Sequence, residues 1–332
     1  MRNILCVTLI ALLGGCTSTS VTEKYQDKRN DIINVKDKVI EFETGNVLIG
    51  SVSRLYMSNK CLLIADHKSV DKQIHIFNKN DFSYLTSIGN FGEGPEEITA
   101  MGCLAIDEAH HQLYVSDHAK QKIFSYDMDS VMVDSLYKPQ VKTAMNETLF
   151  PSEYQYINDT LSIAVLIKPT STSTFNQFLG RWNMNTGEMI PMKYTHPDIQ
   201  KKRITFAASE KAGIYVECYT RHDLMTICSL DGELLYNIYG PDWDGGNGNK
   251  LQSFGTVMIG NDKIFVSYCG EDYARDSFPT KILVFDLEGN YLKTLETGYK
   301  ISDCCYDSFN NRIILSLNDV VQFAYLDIDG II

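Results

Sequence analysis

Short apolar runs return along this chain at a nearly constant interval. "CLLIAD" ends at Asp66, "QLYVSD" at Asp117, "TLSIAV" at Val165, "GIYVEC" at Cys218, "KIFVSY" at Tyr268 and "RIILSL" at Leu317, spacings of 51, 48, 53, 50 and 49 residues. Each is followed by a second run, such as "QIHIFNKND" or "KILVFDLEGN", and several by a third, such as "FSYLTSIG" or "YLKTLETG". Runs this short, rich in β-branched and aromatic residues, read as strands. Asp-Gly, Glu-Gly and Asn-Thr-Gly after the second run supply the turns. A helical period is visible only around His196 to Arg203. Units of about fifty residues that each offer several short strands cannot bury their faces alone and stack radially. The pattern therefore predicts an all-β fold, a six-bladed β-propeller of four-stranded antiparallel blades.

The last unit ends at Ile332 with sequence for only three strands, while "DKVIEFET", Asp37 to Thr44, precedes the first unit without a partner. We expect it to supply the fourth, outermost strand of the last blade, so that no edge is left open where the ring meets itself. "SIGNFGEGPEEI", Ser87 to Ile98, has the glycine spacing of a phosphate-cradling loop. A phosphate loop needs a helix to follow and tolerates no acidic neighbours. Here Pro95, Glu93, Glu96 and Glu97 stand instead, so the stretch is punctuation between two blades.

The N-terminus reads differently. Arg2 and the apolar stretch Ile4 to Leu13 are followed by Leu13-Gly14-Gly15-Cys16. This tetrad resembles the lipobox of bacterial lipoproteins, which implies acylation of Cys16 and a signal peptide over residues 1–16. Residues 17–36 are polar and read as a tether, with a short helix expected from Glu23 to Ile33. Residues 37–332 are the propeller. Thr17 after the cysteine implies, by the same resemblance, an outer-membrane lipoprotein, and we expect it to face the periplasm rather than the cell surface. The only membrane attachment expected is that lipid.

Thirty basic and 42 acidic side chains leave a formal charge of −12, which disfavours nucleic acid as a partner. Beyond Cys6 and Cys16 there are seven cysteines, at 61, 103, 218, 228, 269, 304 and 305. An odd, irregularly spaced set is no disulfide framework; a single bridge between Cys218 and Cys228 across a hairpin stays open. No Cys/His grouping has zinc spacing.

"LLIADHKSVDKQIHIFNKNDFSYLTSIGNFGEGPEEI" followed by "LAIDEAHHQLYVSDHAKQKIFSYD" resembles the NHL-type, TolB-like six-bladed propellers common as lipoproteins in Bacteroidetes. The likeness is strongest over Ser58 to Asp127 and implies a propeller lipoprotein without an assigned activity. Signatures of WD, kelch, sialidase and quinone-dependent propellers are missing.

Candidate site residues follow from the repeat. Asp66-His67 and Asp117-His118 occupy equivalent places at the end of the second strand, on the face of the channel mouth. His67, His118 and His222, beside Arg221, are candidate ligand contacts, while the aspartates are expected to accept backbone N–H bonds in their turns. The stretches 167–177 and 268–280 read as long loops, where Tyr268, Tyr273, Arg275 and Phe278 combine stacking surface with a fork donor. "DWDGGNGNK" offers Asp242, Asp244 and Asn247 as weak calcium ligands, since it departs from the EF-hand pattern. No other cofactor is expected. No nucleophile elbow or metalloprotease motif occurs. The reading is a monomeric, lipid-anchored binding or scaffold module for a glycan, a peptide or an envelope protein. The alternative is a propeller hydrolase or lyase with carboxylates at the channel mouth.

Overall fold

The computed structural model describes residues 22–134, 136–246 and 250–332. Six antiparallel sheets follow one another around an axis. Blade 1 consists of Ser53–Met57, Cys61–Asp66, Lys72–Asn78 and Tyr84–Asn90. Blade 2 begins at Met101–Asp107, blade 3 at Phe150–Asn158, blade 4 at Ile204–Ser209, blade 5 at Leu251–Ile259 and blade 6 at Ile301–Asp307. These six first strands line the axis, and each later strand lies farther out.

The fifty-residue signal has a simple cause. The second strand of each blade is covered on both faces by neighbouring blades. Cys61–Asp66, Ile214–Tyr219 and Arg312–Leu317 are buried at every position, so they read as continuous apolar runs. Six hydrophobic clusters result, one at each blade boundary.

The ring closes as expected. Val39–Glu41 pairs antiparallel with Phe323–Asp327, setting Ile40 opposite Tyr325 as the outermost strand of blade 6. The seam with blade 1 is reinforced by a buried ion pair, Lys79 Nζ to Asp307 at 3.1 Å, and by Phe42 stacked on Phe82 at 3.9 Å.

The segment before that strand departs from expectation. Of the expected tether, residues 17–21 lie outside the described residues, as do the expected signal peptide and Cys16. From Thr22 onward the chain is docked. Glu23–Tyr25 adds a parallel fifth strand to blade 4 and Ile32–Asn34 does the same on blade 5. No helix forms over Glu23 to Ile33, or over His196 to Arg203. The only α-helix among the described residues, α1, is Met128–Val133 in blade 2. The segment is polar because its polar groups have partners. Glu23 accepts from Asn237 at 3.1 Å and from the Tyr239 hydroxyl at 2.5 Å, and Lys24 donates to the Glu288 carbonyl at 2.7 Å. Arg29 reaches inward to Asp223 at 2.8 Å.

Two further expectations are corrected. Cys218 lies opposite Met225 and Cys228 opposite Tyr215, in clusters on opposite sides of the sheet, and both thiols are free. The supposed long loops are shorter than expected: Leu161–Pro169 and Lys263–Asp272 run far enough to leave only 170–174 and 273–280 as connections.

Candidate functional site

The first strands enclose an axial cavity of about 1260 Å³. Its wall is stitched from blade to blade by polar contacts. Gln155 exchanges two hydrogen bonds with the Ala208 backbone, and Thr205 donates to the Gly255 carbonyl at 2.6 Å. Asp303 accepts from Thr256 Oγ1 at 2.7 Å and from the Leu55 N–H at 2.8 Å, tying blades 5, 6 and 1. Burial of Asp303 raises its pKa despite these donors. Arg54 of blade 1 reaches Glu153 of blade 3 at 2.9 Å; both are partly exposed, so the pair adds little stability.

One end of the cavity is the face where second-to-third turns and blade connectors meet. His67 and His118 line it, next to Arg54 and Glu153. Burial lowers the pKa of both, aided at His67 by the Arg54 charge, which favours neutral rings at pH 7. The aspartates before them are latches. Asp66 accepts from Gly50 N–H at 2.7 Å and Lys68 N–H at 2.9 Å, joining the incoming connector to the turn. Asp117 does the same with Thr99, Ala100, Ala119 and Lys120.

The glycine-rich connector completes this device and settles its own chemistry. The Lys120 ammonium donates to the carbonyls of Gly94 at 2.5 Å and Glu97 at 2.6 Å. The Glu97 carboxylate accepts the Gly94 N–H at 2.8 Å, and a side chain on Gly94 would press into it. The loop thus presents carbonyls to a lysine, the reverse of a phosphate cradle.

The remaining candidates separate into three settings. Arg221 and Tyr273 are brought together, with the guanidinium 3.9 Å from the ring centroid across the boundary of blades 4 and 5. A second such pair, Arg203 over Phe175 at 4.9 Å, stands one boundary earlier. Both rings are exposed, Tyr273 at 48% and Phe175 at 42%. Phe278 lines the channel. Arg275 turns away to an exposed pair with Glu271 at 2.7 Å. Tyr268 is buried, its hydroxyl 3.4 Å from Asp223 and 3.3 Å from Asp242, so it supports the face from beneath. His222 is buried in an aromatic cage with Trp243 and Tyr219, its ring 5.9 Å from the indole; burial lowers its pKa. The weak calcium candidates diverge: Asp242 faces Tyr268 and Asp244 lies 3.8 Å from His222, while Asn247 lies outside the described residues.

Sequence reasoning missed Arg54, Glu153, Asp303 and Arg203. The available signal was a charged residue early in the weakly patterned runs "SVSRLYM", "SEYQYIN" and "SDCCYD". Those runs are the first strands of their blades.

The model of the DUF5128 family, described as a 6-bladed beta-propeller, matches residues 17–176, just under half of the chain. No curated protein matches. Among solved structures, a Bacteroides fragilis protein described as exported is similar at 13% identity and a TM-score of 0.58, over 89% of this chain and 87% of that one. A member of the DUF4221 family from Bacteroides vulgatus is similar at 11% identity and a TM-score of 0.58, over 90% and 98%. A luciferin-regenerating enzyme is similar at 9% identity and a TM-score of 0.56, over 86% and 94%. At these identities the likeness is one of fold.

Proposed function

We propose that this protein is a binding module of the bacterial cell envelope that takes a glycan at the mouth of its axial channel. The observation that carries the reading is the Arg221–Tyr273 stack. A half-exposed ring gives a sugar a stacking face, and the guanidinium beside it offers fork donors to hydroxyls or a uronate. Arg203 over Phe175 repeats that chemistry one boundary along, so an oligosaccharide could bridge both. The histidine-lined channel lies inward of this rim. The lipobox-like tetrad at Cys16 and the NHL-type, TolB-like resemblance support a lipid-anchored, outer-membrane location facing the periplasm; Cys16→Ala should leave the protein in the soluble fraction.

The test is isothermal titration of the purified protein against a panel of neutral and uronate-bearing oligosaccharides. Tyr273→Ala and Arg221→Ala should each weaken the binding found at least tenfold. Equal affinity in both variants would remove these residues from the site. A peptide or partner-protein ligand becomes the better reading if no oligosaccharide binds.

One observation favours the hydrolase or lyase alternative: Asp303 sits in the channel wall, and burial shifts its pKa upward, the direction a general acid needs. Turnover of any bound oligosaccharide that Asp303→Asn abolishes would convert the module into an enzyme.

A further inference from the structure

A second cavity lies apart from the channel mouth, between blades 1 and 2, where the first-to-second turns of the two blades meet. It encloses about 530 Å³, the size of a small-molecule site. Its floor is hydrophobic core: Cys61, Leu63 and Leu113 are buried, and burial raises the Cys61 pKa, which keeps the thiol neutral. One wall is α1, which replaces a tight turn in blade 2. Val131 of α1 is buried in the interblade core, while Met128 and Met132, four residues apart on one side, line the slot. Methionine adapts its shape to an apolar guest. Leu85 and Met132 stand half-exposed at the opening.

The polar rim decides the class of guest. Its acidic groups already have partners: Glu108 accepts the Asn59 N–H at 2.7 Å, Asp129 pairs with His111 at 2.7 Å, and Asp107 pairs with His110 at 2.9 Å. Three carboxylates against the exposed Lys60 disfavour an anionic headgroup, and each carboxylate already accepts a hydrogen bond within the protein. We propose that this slot binds an uncharged, chain-like apolar molecule of the long-chain alcohol or monoacylglycerol class, its chain between the two sheets and its hydroxyl at the rim.

The probes are Nile red, followed by fluorescence on the full chain, and 1-dodecanol as competitor. The expected result is saturable, blue-shifted Nile red binding that dodecanol displaces. Met132→Trp and Leu85→Trp fill the opening from half-exposed positions and should each weaken binding at least tenfold with an unchanged melting temperature. Val133→Trp, which alters a residue 87% exposed on the same helix, should bind like the wild type. No saturable binding to the wild type, or unchanged binding in both filling variants, would overturn the proposal.

Discussion

Arg29 is the residue through which the N-terminal segment grips the ring. Its guanidinium is 2.8 Å from Asp223, with side-chain exposures of 6% and 0%, and it lies 5.4 to 5.8 Å from the rings of Phe254, Tyr268 and Phe285. Arg29→Met keeps much of the apolar packing and removes the charge. Among the described residues, Asp223 then keeps the Asp242 N–H at 3.2 Å and the distant Tyr268 hydroxyl, in a site that desolvates it. Removing one partner of a buried pair costs about 3–5 kcal/mol. With an unfolding entropy of about 2.1 cal/mol/K per residue over roughly 300 residues, that is a fall in melting temperature of ~5–8 °C. The assay is thermal unfolding followed by circular dichroism. Adding Asp223→Asn should recover at least half of the loss, because no uncompensated charge remains.

The pH dependence has a definite sign. Burial raises the Asp223 pKa above the unfolded value, against the opposing Arg29 charge. A raised carboxyl is least unfavourable when protonated, so its cost grows as pH rises through the folded pKa and fades below it. Without Arg29 that pKa rises further. The variant should therefore be most destabilised near neutral pH and approach the wild type under mildly acidic conditions. An Arg29→Met melting temperature equal to that of the wild type at pH 7 would refute the claim that the segment is held by this pair.

Three other outcomes are expected. Asp307→Asn should lower the neutral melting temperature by several degrees. Asn310 and Lys79 hold the Asp307 pKa below its usual value against burial, so its stabilisation is present above the unfolded pKa near 4 and lost as pH falls through the folded one; an acid-unfolding curve indistinguishable from the wild type would contradict this. A chain starting at Gly45 loses the closing strand and both strands of the docked segment, and should melt far lower or without cooperativity; an unchanged melting temperature would sink the closure argument. Arg54→Ala breaks a partly exposed pair and should shift stability by under about 1 kcal/mol while changing ligand binding if the channel is used.

The wheel was legible because its strongest sequence feature, the second strand of each blade, is buried on both faces. "RIILSL" and "CLLIAD" are buried at every position and mostly apolar for that reason. First strands were nearly invisible: one side faces a wet channel, so "SEYQYIN" mixes charges with aromatics and shows no clean period. The docked segment was misread because burial by hydrogen bonding leaves no hydrophobic trace. Glu23, Lys24 and Arg29 look solvated in sequence and are matched one by one in the fold. The site suffered from the same blindness. Tyr268 and Tyr273 are five residues apart in one stretch, yet one supports the face from within and the other is presented on it. Only the extra length of the Lys263–Asp272 strand separates their roles.

The repeated aspartate shows why structural and ligand-facing residues sit side by side. Asp66 and Asp117 each spend their carboxylate oxygens on backbone N–H groups of the turn and the connector, which fixes two loops against one strand end. Asp223, just before the third strand of blade 4 rather than at the end of the second, plays a similar part with Arg29 and the Asp242 N–H as partners. A side chain next to such a latch inherits a rigid backbone, so it loses little entropy when it meets a ligand. His67 and His118 directly follow a latch, and Arg221 stands two residues before one. Removing a latch should then weaken ligand binding without touching any contact residue. Asp117→Asn keeps one accepting oxygen and turns the other into a donor, so either the Thr99 bond or the set from Ala100, Ala119 and Lys120 is lost, and the face at His118 is expected to loosen. Hydrogen exchange at residues 99–120 is the measurement that decides: protection equal to the wild type would mean the aspartate is incidental to the order of the mouth.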